Sequence, residues 1–174
     1  MLETILFAVG SIFIIVYSLP SLSKPESHGF YRFFAWETIL GAFLLNARYW
    51  FMDPFSWHQV ISWLLLIVSI VPLVTGFRTL RASGKPEGNF EATTRLVTEG
   101  IYHSIRHPLY ASLLYLVWGI FFKSPSLLDV CLAVVASAFL YATALADEAE
   151  CCLKFGEQYR IYMQKTKMFI PFLF

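Results

Sequence analysis

Between Gly100 and Ser112 the chain reads Gly-Ile-Tyr-His-Ser-Ile-Arg-His-Pro-Leu-Tyr-Ala-Ser. It is the densest cluster of polar, ring-bearing and backbone-constraining residues in the sequence. Pro108 steers His107 away from the α region, so a helix is expected to begin at Pro108 rather than pass through it. Tyr102, Arg106 and His107 are then presented at a helix N-terminus, where unpaired N–H groups and the helix dipole favour an anion. His103 and His107 have the i, i+4 spacing of a helical metal pair. Pro108 argues against one helix through both and no third ligand lies nearby, so no metal is expected. Arg106 and His107 read better as a ligand-binding pair. The plainer alternative has His107 capping the next helix while Arg106 reaches lipid head groups.

Asp147 and Glu148 are the first acids after a long apolar run. As helix-end acids they either face water or answer a cationic ligand group, since the dipole disfavours acids at a helix C-terminus. Glu37 lies about two turns into another apolar run, a depth at which an unpaired carboxylate is costly. It is either functional or ion-paired, with Arg32 or with another helix. Lys165 and Lys167 read as solvated or head-group-binding side chains. Cys131, Cys151 and Cys152 have no CxxC spacing, and neighbours on a helix diverge by about 100°, so they read as reduced packing residues. Phosphate-loop and nucleophile-elbow signatures are missing from the sequence.

The elements that must hold these residues are set by composition. Of 174 residues, 57% are hydrophobic and only 14% charged, against about 25% charged in soluble domains. The net charge of +1 gives no electrostatic case for nucleic acid. The length suits one domain, residues 1–174. Apolar runs at Leu2–Leu19, Phe30–Met52, Ser56–Phe77, Leu109–Phe122 and Ser126–Ala146 each approach the ~20 residues that cross a bilayer. The first ends at Pro20 and has no clear signal-peptide features; the third carries Pro72 as an expected kink. The expectation is an all-α integral membrane bundle of about five transmembrane helices. With the N-terminus outside, the thirteen Lys and Arg residues all fall on the inner side except Arg48 and Lys123, a strong orientation signal. The Gly100–Ser112 stretch and the C-terminal tail then meet at the cytoplasmic face. Residues 78–95, with Gly84, Pro86, Gly88 and Asn89, read as a loop. Phe155, Tyr159 and Tyr162, at i, i+4, i+7, put three rings on one face of a C-terminal amphipathic helix suited to the membrane interface. The closing run from Phe169 to Phe174 is expected to pack against the bundle.

These residues resemble the isoprenylcysteine carboxyl methyltransferase and phospholipid methyltransferase superfamily of membrane enzymes. The signature Gly-x-Tyr-x-x-x-Arg-His-Pro-x-Tyr stands as Gly100, Tyr102, Arg106, His107, Pro108 and Tyr110. An acidic pair followed by Phe-Gly-x-x-Tyr-x-x-Tyr stands as Asp147, Glu148, Phe155, Gly156, Tyr159 and Tyr162. The resemblance covers about residues 78–171 and implies S-adenosyl-L-methionine bound between the two blocks, with a lipophilic or lipid-linked substrate entering from the membrane. It implies that Tyr102, His107, Pro108 and Tyr110 line the cofactor pocket, that Asp147 and Glu148 meet its ammonium or ribose groups, and that Lys165 lies near a substrate carboxylate. The sequence departs from that pattern in three places: Asp-Glu replaces Glu-Glu, Ser112 replaces a glycine, and lysine replaces arginine at 165. The last loses a bidentate grip on a carboxylate, which weakens the carboxyl reading more than the methyltransferase one.

Methyl transfer from a sulfonium depends chiefly on alignment. A carboxylate or thiolate acceptor needs a nearby cation, with Arg106 and Lys165 as candidates. An amine acceptor must lose a proton, with Glu37 or Glu148 as candidates. Residues 147–156 also resemble the C-terminal block of membrane sterol reductases, which share Arg-His-Pro-x-Tyr and bind NADPH, but those proteins have about twice as many spans. A non-catalytic membrane protein of the same fold is the third reading. The acceptor and the oligomeric state are not legible.

Overall fold

The computed structural model describes residues 2–85, 93–171 and 173. Within them the chain forms six α-helices: α1 (Leu2–Leu22), α2 (His28–Asn46), α3 (Trp57–Ser83), α4 (Pro108–Phe121), α5 (Leu127–Phe155) and α6 (Glu157–Lys165). Short 3-10 turns occupy Ala47–Tyr49 and Gly100–His103. Outside the helices Ile105 makes a parallel bridge with Lys167. The expected all-α membrane bundle is what the chain forms. Three helices, α1, α3 and α5, are long and apolar enough to cross a membrane. The other two expected spans are helices too, but α4 has 14 residues and α2 carries Arg32 and Glu37 within 19.

Several boundaries differ from the expected ones. α1 continues through Pro20 to Leu22, and Ser23 Oγ donates to the Pro20 carbonyl, 3.1 Å, to close it. α2 stops at Asn46, six residues short of Met52. There the Asn46 amide donates to the Ala42 carbonyl, 3.0 Å, and to Asp129 of α5, 2.7 Å. α5 runs past Ala146 to Phe155, because Glu, Ala, Leu and Lys are good helix formers and no breaker precedes Gly156, at φ 58°. Asp147 and Glu148 therefore stand inside a helix rather than at its end. The expected loop positions Pro86, Gly88 and Asn89 lie outside the described residues, as do Phe172 and Phe174.

α2 packs between α1 and α5, while α4 packs against both α3 and α5. The core is built of small residues on α2 and α5, such as Ala35, Ala42, Ala133, Ala136 and Ala144, with Val117 and Ile120 of α4 between them. Lipid tails are as apolar as these side chains, so close approach and internal hydrogen bonds hold the helices together. Ser62 of α3 donates to the Gly119 carbonyl of α4 at 2.7 Å. A Cβ on Gly119 would fall 2.9 Å from Leu66, and one on Gly76 would fall 2.9 Å from Pro108. These two glycines set the α3–α4 spacing and bring the start of α4 against α3. At the far end of the bundle Lys123 is enclosed, not solvated. Its ammonium sits 3.5 Å from the Trp63 ring centroid and donates to Gln59 Oε1 at 3.1 Å. At the C-terminus Met168 and Phe169 are buried, but Leu173 is exposed, so only the start of the apolar tail packs as expected.

Gly119→Val overpacks the α3–α4 seam and should cost about 1–3 kcal/mol, read as a lowered Tm in detergent. Phe13→Leu, on an outward side chain that is 74% exposed, should change stability by less than about 0.5 kcal/mol.

Candidate functional site

The Gly100–Ser112 stretch is held by backbone first. Gly100 has φ 59°, and a Cβ there would meet Thr79 Oγ1 at 3.0 Å, so both conformation and space call for glycine. Residues 104–107 then lie beside the segment that follows α6. Lys167 N–H donates to the Ser104 carbonyl (3.1 Å), Arg106 N–H to the Lys167 carbonyl (2.8 Å) and His107 N–H to the Met168 carbonyl (3.1 Å). Tyr162 of α6 donates its hydroxyl to the Tyr102 carbonyl at 2.6 Å. α4 begins at Pro108 as expected, with His107 at φ −122°, outside the helical region.

The side chains close the same junction with charge. Glu148 of α5 is 6% exposed. Its Oε1 accepts from Arg106 Nε at 2.7 Å and lies 3.1 Å from His107 Nε2. Arg106 Nη1 donates to the carbonyls of Met163 and Thr166. His107 Nδ1 is 3.4 Å from Asp147 Oδ2. Consecutive residues on a helix diverge by about 100°, so Asp147 and Glu148 reach the ring from two sides. Burial alone lowers the His107 pKa, but hydrogen bonds and charge from Asp147 and Glu148 outweigh it, and the pKa is raised. An imidazolium, with two N–H donors, satisfies both carboxylates. The expected anion at the start of α4 is thus the protein's own acidic pair, and Arg106 is turned inward rather than toward lipid head groups.

Beside this junction lies a cavity of about 100 Å³, lined by Tyr102, Arg106, His107, Pro108, Tyr110 and Asp147. Leu80, Thr93, Leu96, Val97, Leu109, Cys151, Phe155, Tyr159 and Tyr162 complete the wall, together with His28. Five of the six residues expected to line a cofactor pocket therefore share it. The sixth, Glu148, stands behind the wall and holds two of its members. Phe155, Tyr159 and Tyr162 turn into the protein instead of the membrane interface. Gly156 reverses the chain, so that α6 folds back over the cavity. Tyr159 and Tyr162 are 4% and 7% exposed, and burial pushes both phenols well above their ordinary range.

Besides Glu148, two expected catalytic residues are not part of this wall. Glu37 faces α1, where Ser11 donates to its Oε2 at 2.7 Å, so its contact is neither Arg32 nor the cavity. Arg32 is buried with its guanidinium over Trp36 and Tyr17. Lys165 is exposed in the last turn of α6 and does not line the cavity. Of the cysteines, Cys131 is exposed, not packed, and Cys151 lines the cavity. Among the described residues no group of three or more His, Cys, Asp or Glu side chains is placed to hold a metal. His28, Thr93, Leu96 and Val97 carried no local signal, because they reach the cavity from distant parts of the chain. His28 is fixed by Glu150, which accepts from its backbone N–H (2.9 Å) and lies 2.8 Å from its Nδ1.

The family profile described as phospholipid methyltransferase matches residues 57–154. That span holds the Arg106–Pro108 element and the acidic pair and ends just before Phe155. No curated protein and no solved structure gave a significant match to the chain.

Because the folded pKa of His107 is raised above its ordinary 6.5, its contribution to stability is complete below that value and is lost as pH rises through the folded one. The Tm of the protein should therefore fall from pH 6.5 upward. His107→Gln should start lower and lose this part of the slope, as thermal unfolding across pH 6 to 9 would show.

Proposed function

The chain belongs to the phospholipid methyltransferase family, and from that membership and the site geometry we propose that it is an S-adenosyl-L-methionine-dependent methyltransferase acting on a lipophilic acceptor at the cytoplasmic membrane face. One observation carries the reading: Arg106, His107, Pro108 and Asp147 line a single cavity, and Glu148 behind them holds Arg106 and His107. The orientation, with the N-terminus outside, rests on the Lys and Arg distribution.

The lining suits the cofactor by its chemistry. Tyr102, Tyr110, Phe155 and Tyr159 offer ring faces for a purine and for a positively charged sulfur. Asp147, whose side chain is 30% exposed, offers a carboxylate to an ammonium or a ribose hydroxyl. The enclosed volume of about 100 Å³ is below the ~300–1,000 Å³ usual for small-molecule sites, so the open mouth takes part of the ligand. When bound, S-adenosylmethionine supplies a methyl group on a sulfonium. Around it the protein's work is positional: Glu148 fixes Arg106 and His107, Pro108 fixes the start of α4, and the folded-back α6 excludes water.

The site favours an amine as the acceptor. Both cations considered for an anionic acceptor are unsuited, since Arg106 is committed to Glu148 and two carbonyls and Lys165 does not line the cavity. The carboxylate that faces the cavity, and so is placed to take the proton an amine must lose, is Asp147 rather than Glu37 or Glu148. The reductase reading gains no support from the family match.

Titration of the detergent-purified protein should show saturable binding of S-adenosylhomocysteine and none of NADPH. Asp147→Ala should weaken the former about tenfold, or about 1.4 kcal/mol. Binding of NADPH alone would reinstate the reductase, and binding of neither ligand would indicate a non-catalytic protein.

A further inference from the structure

A second cavity, of about 800 Å³, opens at the same end of the bundle. Its walls are the end of α1 and the turn into α2, with Ser21, Lys24 and Glu26, and the face of α5 carrying Ala149 and Glu150. The two cavities adjoin, because His28 lines both. On α5 they occupy neighbouring faces: Asp147, Cys151 and Phe155 point to the first, at i, i+4, i+8, while Ala146, Ala149, Glu150 and Leu153 point to the second, at i, i+3, i+4, i+7. The His28–Glu150 pair, 2.8 Å apart, stands at the partition. The second cavity differs from the first in being wide, open and lined by charges of both signs. Leu153, which lines it, is 89% exposed, and Leu19 and Leu145, next in sequence to the lining residues Pro20 and Ala146, are 55% and 45% exposed.

We propose that this second cavity receives the head group of the acceptor lipid, with the His28–Glu150 pair as the positioning element through which the head group meets the cofactor cavity. The proposal rests on the methyltransferase reading of the first cavity. The acyl chains stay in the bilayer along Leu19 and Leu145, and the polar end lies among Ser21, Lys24 and Glu26. The volume falls within the ~300–1,000 Å³ of sites that enclose small molecules, enough for a head group without its tails. Glu150 also ties the first turn of α2 to α5, so this element fixes the distance between the two cavities.

The test uses the full chain in phosphatidylcholine nanodiscs containing a phosphatidylethanolamine that carries a photoactivatable diazirine on its head group. Cross-links should map to residues 20–28 and 146–153. Ala149→Trp, at an exposed position that lines only the second cavity, should abolish them. Lys24→Trp, at the exposed rim, guards against a folding defect in the first variant and should do the same. Both variants should keep S-adenosylhomocysteine affinity within about twofold. With unlabelled phosphatidylethanolamine they should raise the KM for lipid about tenfold and leave the KM for S-adenosylmethionine unchanged. Glu150→Gln should lower kcat more than it raises the KM for lipid. Cross-links elsewhere, or unchanged in both tryptophan variants while S-adenosylhomocysteine still binds, would overturn the head-group site alone. Failure of the unaltered protein to bind S-adenosylhomocysteine would overturn the methyltransferase reading and the acceptor role together.

Discussion

One carboxylate oxygen, Glu148 Oε1, serves two nitrogen-bearing side chains that follow one another in sequence, Arg106 at 2.7 Å and His107 at 3.1 Å. All three groups are largely removed from water, and buried charges are tolerated only when their partners are well placed. Removing Glu148 takes this carboxylate from both partners at once, so the geometry is tightly specified. Through this contact the turn before α4 is locked to the C-terminal third of α5, and α6 follows because Arg106 also reaches the carbonyls of Met163 and Thr166. The cavity is the space left beside that lock.

The rest of the bundle serves the same end. Gly76 and Gly119 let α3 and α4 approach closely, which fixes where α4 starts. Gly156 turns the chain after α5, and the segment after α6 pairs with residues 104–107. The outer surface of α1, α3 and α5 is apolar and suited to lipid. On the proposed reading, a polar cofactor from the aqueous side and an acceptor from the bilayer would meet at this boundary without either crossing the other's solvent. Catalysis by alignment demands little else of the protein.

Much of this was legible in the chain itself. Pro108 announces the start of α4, and the apolar runs announce five helices. Arg106, His107, Asp147 and Glu148 stand out as charges beside apolar sequence. The acidic pair was misplaced on the helix because a change of composition after Ala146 looks like an end, whereas helices end at breakers and the first one is Gly156. Tyr159 and Tyr162 were assigned to the interface because ring spacing defines a face but not its direction. Glu37 was weighed against Arg32, its near neighbour, yet its contact is Ser11 on another helix, which only tertiary packing supplies. His28 carries no local mark at all, since its meaning comes from Glu150 on a helix far along the chain.

The measurement that bears most directly on the account is a double-mutant cycle on Arg106→Gln and Glu148→Gln. Both unfolding free energy in detergent and S-adenosylhomocysteine affinity would be followed. If the shared carboxylate organises the site, each single change should cost stability and affinity, and the double variant should lose about 1–3 kcal/mol less than the two losses added together. Additive losses, agreeing within about 0.5 kcal/mol, would mean that the two residues act independently and that the cavity is held by something else.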